Sequence, residues 1–213
     1  MMKTLARNLA SQLFARAPRL ALAALMTLVA MFAVAGCGRY DELVEKDQVA
    51  AEKWANLEAQ LQRRYDLVPN LVSVVKASAK HEEDTLAKVT QARSQAASIK
   101  LTADDLSDPE KMAAFQKAQD QLKGSLSRLM VVQEKYPDLK ANKSFHDLQV
   151  QLEGTENRIL RAREEYNGSV RDYNATLGKI SGAVTNKVTG KQFKPRVFFT
   201  ASVESQAAPK VNF

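Results

Sequence analysis

Residues 145–180 read FHDLQVQLEGTENRILRAREEYNGSVRDYNATLGKI, and this stretch decides the fold. Its apolar residues are Phe145, Leu148, Leu152, Ile159, Tyr166, Val170, Tyr173, Leu177 and Ile180. They recur at steps of three, four and seven, the seam of a helix packed nearly parallel to its neighbours; a strand would alternate every second residue. Asn142 or Ser144 supplies a cap. At about 1.5 Å per residue a helix over 142–180 is nearly 60 Å long, so it needs partners of comparable length.

Upstream the same pattern returns. Leu43, Ala50, Trp54, Leu57, Leu61, Val68, Leu71 and Val75 form a second heptad stripe. Pro69 falls inside it, and proline is costly in a helix interior. The reading is therefore two helices, 41–65 and 67–99, or one helix kinked near 66–69. Asp108-Pro109 reads as an N-cap with proline at the first helical position. The helix it opens carries Met112, Phe115, Leu122, Leu126 and Leu129 and ends near Lys135, before Tyr136-Pro137. Past Ile180 the periodicity fails. Phe193-Lys194-Pro195-Arg196-Val197-Phe198-Phe199 is expected to be extended and to cap the bundle end, with a loose polar tail beyond. The fold class is all-α: an elongated antiparallel bundle of three to four long helices.

The N-terminus has a different character. Residues 1–19 are basic and acid-free, and Leu20–Val34 is apolar except for Thr27. That length suits the apolar core of a signal peptide and is short for a membrane span. Val34-Ala35-Gly36-Cys37 then resembles the lipobox of bacterial lipoproteins, in which the cysteine is lipidated and becomes the mature N-terminus. Cys37 is the chain's one cysteine. The competing reading is an uncleaved anchor. The expected organisation is a signal peptide over 1–36, a lipidated tether over 37–40, the bundle over 41–180, the end-capping segment over 181–200 and the tail over 201–213. Acyl chains, each buried CH₂ contributing about 0.8 kcal/mol, would hold the protein on a membrane of the cell envelope. In a didermal cell that is the periplasmic face of the outer membrane; otherwise it is the outer surface of the cytoplasmic membrane.

The formal charge of +7 is concentrated there. Four of the 31 basic residues and no acidic residue lie in 1–36, which leaves 27 bases against 24 acids. That balance argues against a nucleic-acid partner.

The stretch Gln60-Leu61-Gln62-Arg63-Arg64-Tyr65-Asp66-Leu67-Val68-Pro69-Asn70-Leu71-Val72, with Trp54 before it and His81-Glu82 and Arg93 after it, resembles the hallmark of the LemA family. The second half agrees: Tyr136-Pro137, then Leu152-Glu153-Gly154-Thr155-Glu156-Asn157-Arg158-Ile159, Arg163, Tyr166-Asn167 and Tyr173-Asn174. The resemblance covers roughly 40–199. It departs at Gly178-Lys179-Ile180-Ser181, where the family carries a Phe-Pro pair, and at the lipobox, where most members have a membrane helix. It implies an all-α bundle at a membrane with no established enzymatic activity.

The candidate site is a polar line beside the apolar seam. Arg63, Arg64, Asp66 and Asn70 surround Pro69. Glu153, Glu156, Arg163, Asn167 and Asn174 lie on the last helix, four of them at spacings of seven, four and seven. Their first reading is a structural network that pairs across helices and fixes register. Their second is a groove recognising a peptide or headgroup, or an active site, around Arg64, Asp66, Glu156 and Arg163. Catalytic chemistry finds little support. The two histidines, His81 and His146, lack a glutamate three residues before them, as ferritin-like di-metal bundles require. His81-Glu82-Glu83-Asp84-Thr85 is not a His-Glu-x-x-His zinc motif. No cofactor, metal or catalytic residue is expected. The expected role is a membrane-anchored interaction or scaffold module that engages an envelope protein or another copy of itself.

Overall fold

The computed structural model describes residues 2–79, 82–179 and 193–200; side chains at 2–25 and 27–39 lie outside the description. The side chains of the signal segment, that of Met26 apart, and of Cys37 therefore fall outside it, and so do Lys80 and His81, all of 180–192 and the tail from 201. The chain divides into two compact units, Met1–Glu45 with Leu177–Gln192, and Lys46–Thr176 with Phe193–Phe213. Of the first unit only its helical backbone and a few side chains are described. The second holds every residue of the candidate line.

The described residues form five helices, α1 (Met2–Ser78), α2 (Glu83–Ser98), α3 (Pro109–Val132), α4 (Pro137–Lys140) and α5 (Lys143–Gly178), with 3-10 turns at Asp105–Ser107 and Gln133–Lys135. Among the described residues there is no strand, and the fold is an all-α bundle. Within the second unit the helices run up, down, up and down. Tyr65 of α1 meets Arg93 and Ala96 of α2 across the reversal. Arg64 meets Glu156 of α5, while Lys53 meets Glu165, so α1 and α5 are antiparallel.

The stripes behave as the periodicity predicts. All eight apolar positions from Leu43 to Val75 are buried, and so are Met112, Phe115, Leu122, Leu126 and Leu129. On α5, Phe145, Leu152, Ile159, Tyr166, Val170 and Tyr173 are buried. Trp54 forms the aromatic centre, its ring 5.2 Å from Tyr166 and 5.5 Å from Phe115. Asp108 caps α3 by accepting from the amides of Glu110 and Lys111. Asn142 caps α5 by accepting from the Phe145 amide at 3.2 Å.

Of the two readings of Pro69, two separate helices are not found: α1 runs through Pro69 to Ser78, and it is there, not at 66–69, that the helix ends before α2 begins at Glu83. Proline removes the N–H that would bond the carbonyl four residues back, at Tyr65. Arg93 of α2 replaces it, its Nε donating to the Tyr65 carbonyl at 2.8 Å. The chain instead reverses between the end of α1 at Ser78 and the start of α2 at Glu83, and the intervening sequence contains neither glycine nor proline. Glu82 is held there by Tyr136, whose hydroxyl donates to its carboxylate at 3.2 Å, and by Thr85 at 3.0 Å.

The segment 193–200 lies along α5 and also meets the connection between α2 and α3. Its backbone bonds to side chains of 166–174, and Val197 N donates to Leu106 O at 2.8 Å. The reason lies in helix length. α2 has only 16 residues against 36 in α5. It covers α1 down to Tyr65, and the extended segment covers α1 from Trp54 to Asp47.

Candidate functional site

The polar line divides into two assemblies and a set of exposed residues. The first assembly centres on Arg64, whose side chain is 3% exposed. The heptad stripe of α1 places it beside Leu61 and Val68, on the inner face. Its Nη1 donates to Glu156 Oε1 of α5 at 3.1 Å, and its Nη2 to Gln119 Oε1 of α3 at 2.5 Å. Gln119 Nε2 donates to the Tyr65 hydroxyl, which donates to Ala96 O of α2 at 3.3 Å. One chain of hydrogen bonds thus joins all four long helices. Burial pushes the Tyr65 phenol above its ordinary pKa, and the Gln119 hydrogen bond and the Arg64 charge act against that rise. A buried guanidinium is tolerated only when paired and hydrogen-bonded. Here the Nε of Arg64 alone has no partner.

Arg163, half-buried, lines an open groove beside this network together with Lys123, Asp120, Asn157 and Leu160. The groove is shallow, about 180 Å³. Arg63, Asp66 and Asn70 are exposed on the far side of α1, where Asp66 accepts from Gln62 at 2.8 Å. Glu153 is also exposed and accepts from Gln149 at 3.2 Å. The structure therefore brings Arg64 and Glu156 together and leaves Arg63, Asp66, Asn70 and Glu153 outside the network.

The second assembly holds the extended segment. Asn174 Nδ2 donates to Arg196 O at 2.8 Å, and Arg196 N donates to Asn174 Oδ1 at 2.9 Å. Asn167 makes the same pair of bonds to Phe199 O and N, both at 2.9 Å. Each carboxamide thus acts as a peptide group would in a β-ladder. Seven residues of helix rise about 10.5 Å, close to three residues of extended chain, so two asparagines seven apart meet segment residues three apart. Tyr173 and Tyr166 donate to Lys194 O at 3.1 Å and Val197 O at 3.0 Å. Burial pushes both phenols up to about 12, Asp47 adding to the rise at Tyr173 and Arg196 opposing it at both.

Arg196 points inward from this segment and is buried. Its Nε and Nη2 both reach Asp47 Oδ1 at 2.9 Å, and its guanidinium carbon lies 5.8 Å from the Tyr173 ring centre. Gln119, Tyr65, Gln116, Asp47 and Arg196 were not expected as site residues. An arginine inside the apolar run 193–199 was the signal for a buried ion pair. The Tyr-Asn pair repeated at seven residues was the signal for a clamp.

Among the described residues no group of three His, Cys, Asp or Glu side chains is placed to hold a metal. The charged groups that are buried are engaged with one another, and the arrangement's evident chemistry is to fix helices and hold a peptide backbone. The model of the LemA family matches residues 53–213, about three-quarters of the chain. No curated protein matches it.

Proposed function

This chain belongs to the LemA family, and we propose that it acts as a non-enzymatic interaction or scaffold module of the cell envelope, held at a membrane by lipid on Cys37. The observation that carries the non-enzymatic part is the Glu156–Arg64–Gln119–Tyr65 relay. Arg64, the buried member of the candidate line, spends its two Nη groups on Glu156 and Gln119, joining helices. The anchor rests on Val34-Ala35-Gly36-Cys37, where small residues admit a peptidase and the lone cysteine takes the lipid. Its partners are the membrane and an envelope protein or a second copy.

The anchor is tested by the mass of the N-terminal peptide from membrane-extracted protein, beside a Cys37→Ser control. A peptide beginning at diacylglyceryl-Cys37 supports the reading; one beginning at Met1 or Met2 overturns the anchor. The module is tested by crosslinking intact envelopes, and failure to recover any reproducible partner counts against it. A second reading, an anionic-ligand receptor, is favoured only by the groove where Arg163 and Lys123 stand beside Arg64. It requires Arg163→Ala to abolish function with no change in melting temperature.

A further inference from the structure

The way 193–200 is held differs from the way the helices are held. Phe193, Arg196 and Phe199 are buried, while Lys194, Pro195, Phe198 and Thr200 are exposed. Inward positions recur every third residue, the period of a polyproline-type helix, where a strand would give two. The carbonyls of Lys194, Arg196, Val197, Phe198 and Phe199 all accept from side chains: Tyr173, Asn174, Tyr166, Gln116 and Asn167 in turn. The floor is aromatic, with the Phe199 ring 6.0 Å from Phe115 and 6.5 Å from Trp54. Aromatic grooves whose side chains donate to a ligand's carbonyls are the usual readers of threefold extended peptides, because such peptides are already ordered and leave their carbonyls free.

We propose that the cleft between α1, α3 and α5 is a recognition groove for extended peptides of the pattern Phe-x-x-Arg-x-x-Phe, that residues 193–200 are its resident occupant, and that a partner protein carrying such a segment displaces them. Backbone readout by Asn167 and Asn174 is indifferent to sequence. Specificity comes from two pockets: Asp47 with the Tyr173 ring for the arginine, and Trp54 with Phe115 for the final phenylalanine. The resident leaves Trp54 Nε1 of the groove buried without a partner, a donor that a ligand with an acceptor beside its final phenylalanine would satisfy. Lys194, Pro195, Phe198 and Thr200 of the occupant are exposed, and its release breaks the Val197 N bond to Leu106 O as well as the bonds to α3 and α5. This assignment names a partner class for the interaction-module reading and rests on that reading for its biological use. Its test uses purified protein, so its failure is distinct from failure of the envelope crosslinking.

The probe is a fluorescein-labelled peptide of residues 193–200, followed by anisotropy. The full chain with Arg196→Ala and Phe199→Ala, its own segment weakened, binds the peptide at least tenfold more tightly than the wild type. Adding Asn167→Ala and Asn174→Ala abolishes the gain. A weakened chain that still melts cooperatively and binds no more peptide than a scrambled control overturns the proposal. Should the double variant unfold, Arg196→Lys, which keeps the charge and loses the two-nitrogen grip, replaces it under the same two outcomes. The same peptide with benzophenone at the Phe199 position must label Trp54 or Phe115, and labelling elsewhere overturns the groove. Exchange of segments between chains without uptake of peptide assigns the groove to a second copy and overturns the partner.

Discussion

Replacing Glu156 by alanine tests the four-helix relay most directly. The substitution leaves the Arg64 guanidinium, 3% exposed, with one neutral partner in Gln119. Removing one member of a fully buried pair costs about 3–5 kcal/mol. The Glu156 side chain is 27% exposed, so water reaches the vacated position and the expected cost drops to about 2–3 kcal/mol. For a unit of this size that is a fall in melting temperature of roughly 4–12 °C. Removing the charges together behaves differently. Arg64→Met with Gln119→Leu and Glu156→Leu leaves no orphaned charge, and Tyr65 keeps its bond to Ala96 O. This triple variant is expected within about 1 kcal/mol of the wild type, because apolar replacements of buried ion pairs are often neutral or stabilising. Urea unfolding followed by circular dichroism reads both. A Glu156→Ala variant within about 0.5 kcal/mol of the wild type, the range of ordinary surface changes, would refute the argument that the relay is buried and structural.

Asn167→Ala and Asn174→Ala each strand an amide and a carbonyl of the extended segment, for about 1–3 kcal/mol apiece; hydrogen exchange should speed at Arg196 and Phe199 while Leu122 in the α3 core stays protected. Arg93→Ala should cost about 1 kcal/mol when Pro69 is present, and less in a Pro69→Ala background, where residue 69 bonds the Tyr65 carbonyl itself; a double-mutant cycle with no coupling would show that Arg93 plays another part. Tyr166 and Tyr173 ionise near 12 in the folded chain and near 10 when unfolded. The raised folded values mean that this stability is complete below pH 10 and declines as pH rises toward 12, by at most about 1.4 kcal/mol per unit for each group. Denaturation midpoints across that window should fall less steeply in a Tyr166→Phe, Tyr173→Phe variant, and an unchanged slope would contradict it.

Apolar periodicity is a local property of each helix, and it was legible: the stripe from Leu43 to Val75 faces the core at every position. Caps were legible for the same reason, since Asp108 and Asn142 act on amides within three residues. The reversal between Ser78 and Glu83 was not, because Ala79-Lys80-His81-Glu82 contains no helix breaker and Tyr136, 54 residues away, helps hold it. Pro69 left two readings open in the sequence, because the remedy for its missing donor comes from Arg93 on another helix. Of the candidate line, the spacing of Glu156, Arg163, Asn167 and Asn174 told that they share a face. It could not tell that Arg64 meets the first of these while the two asparagines meet a segment some 20 to 30 residues downstream.

The match of seven helical residues to three extended ones works like a pair of meshed gears. A single residue inserted between Asn167 and Asn174 would turn one carboxamide about 100° around the α5 axis, away from its backbone partner. A single residue inserted between Arg196 and Phe199 would shift one of them by about 3.3 Å, roughly one full peptide step. Length changes in either stretch are therefore tolerated only together, seven in one with three in the other, although the two are separate stretches of sequence. Variation in chain length during descent should be found outside 167–174 and 196–199, or inside both at once.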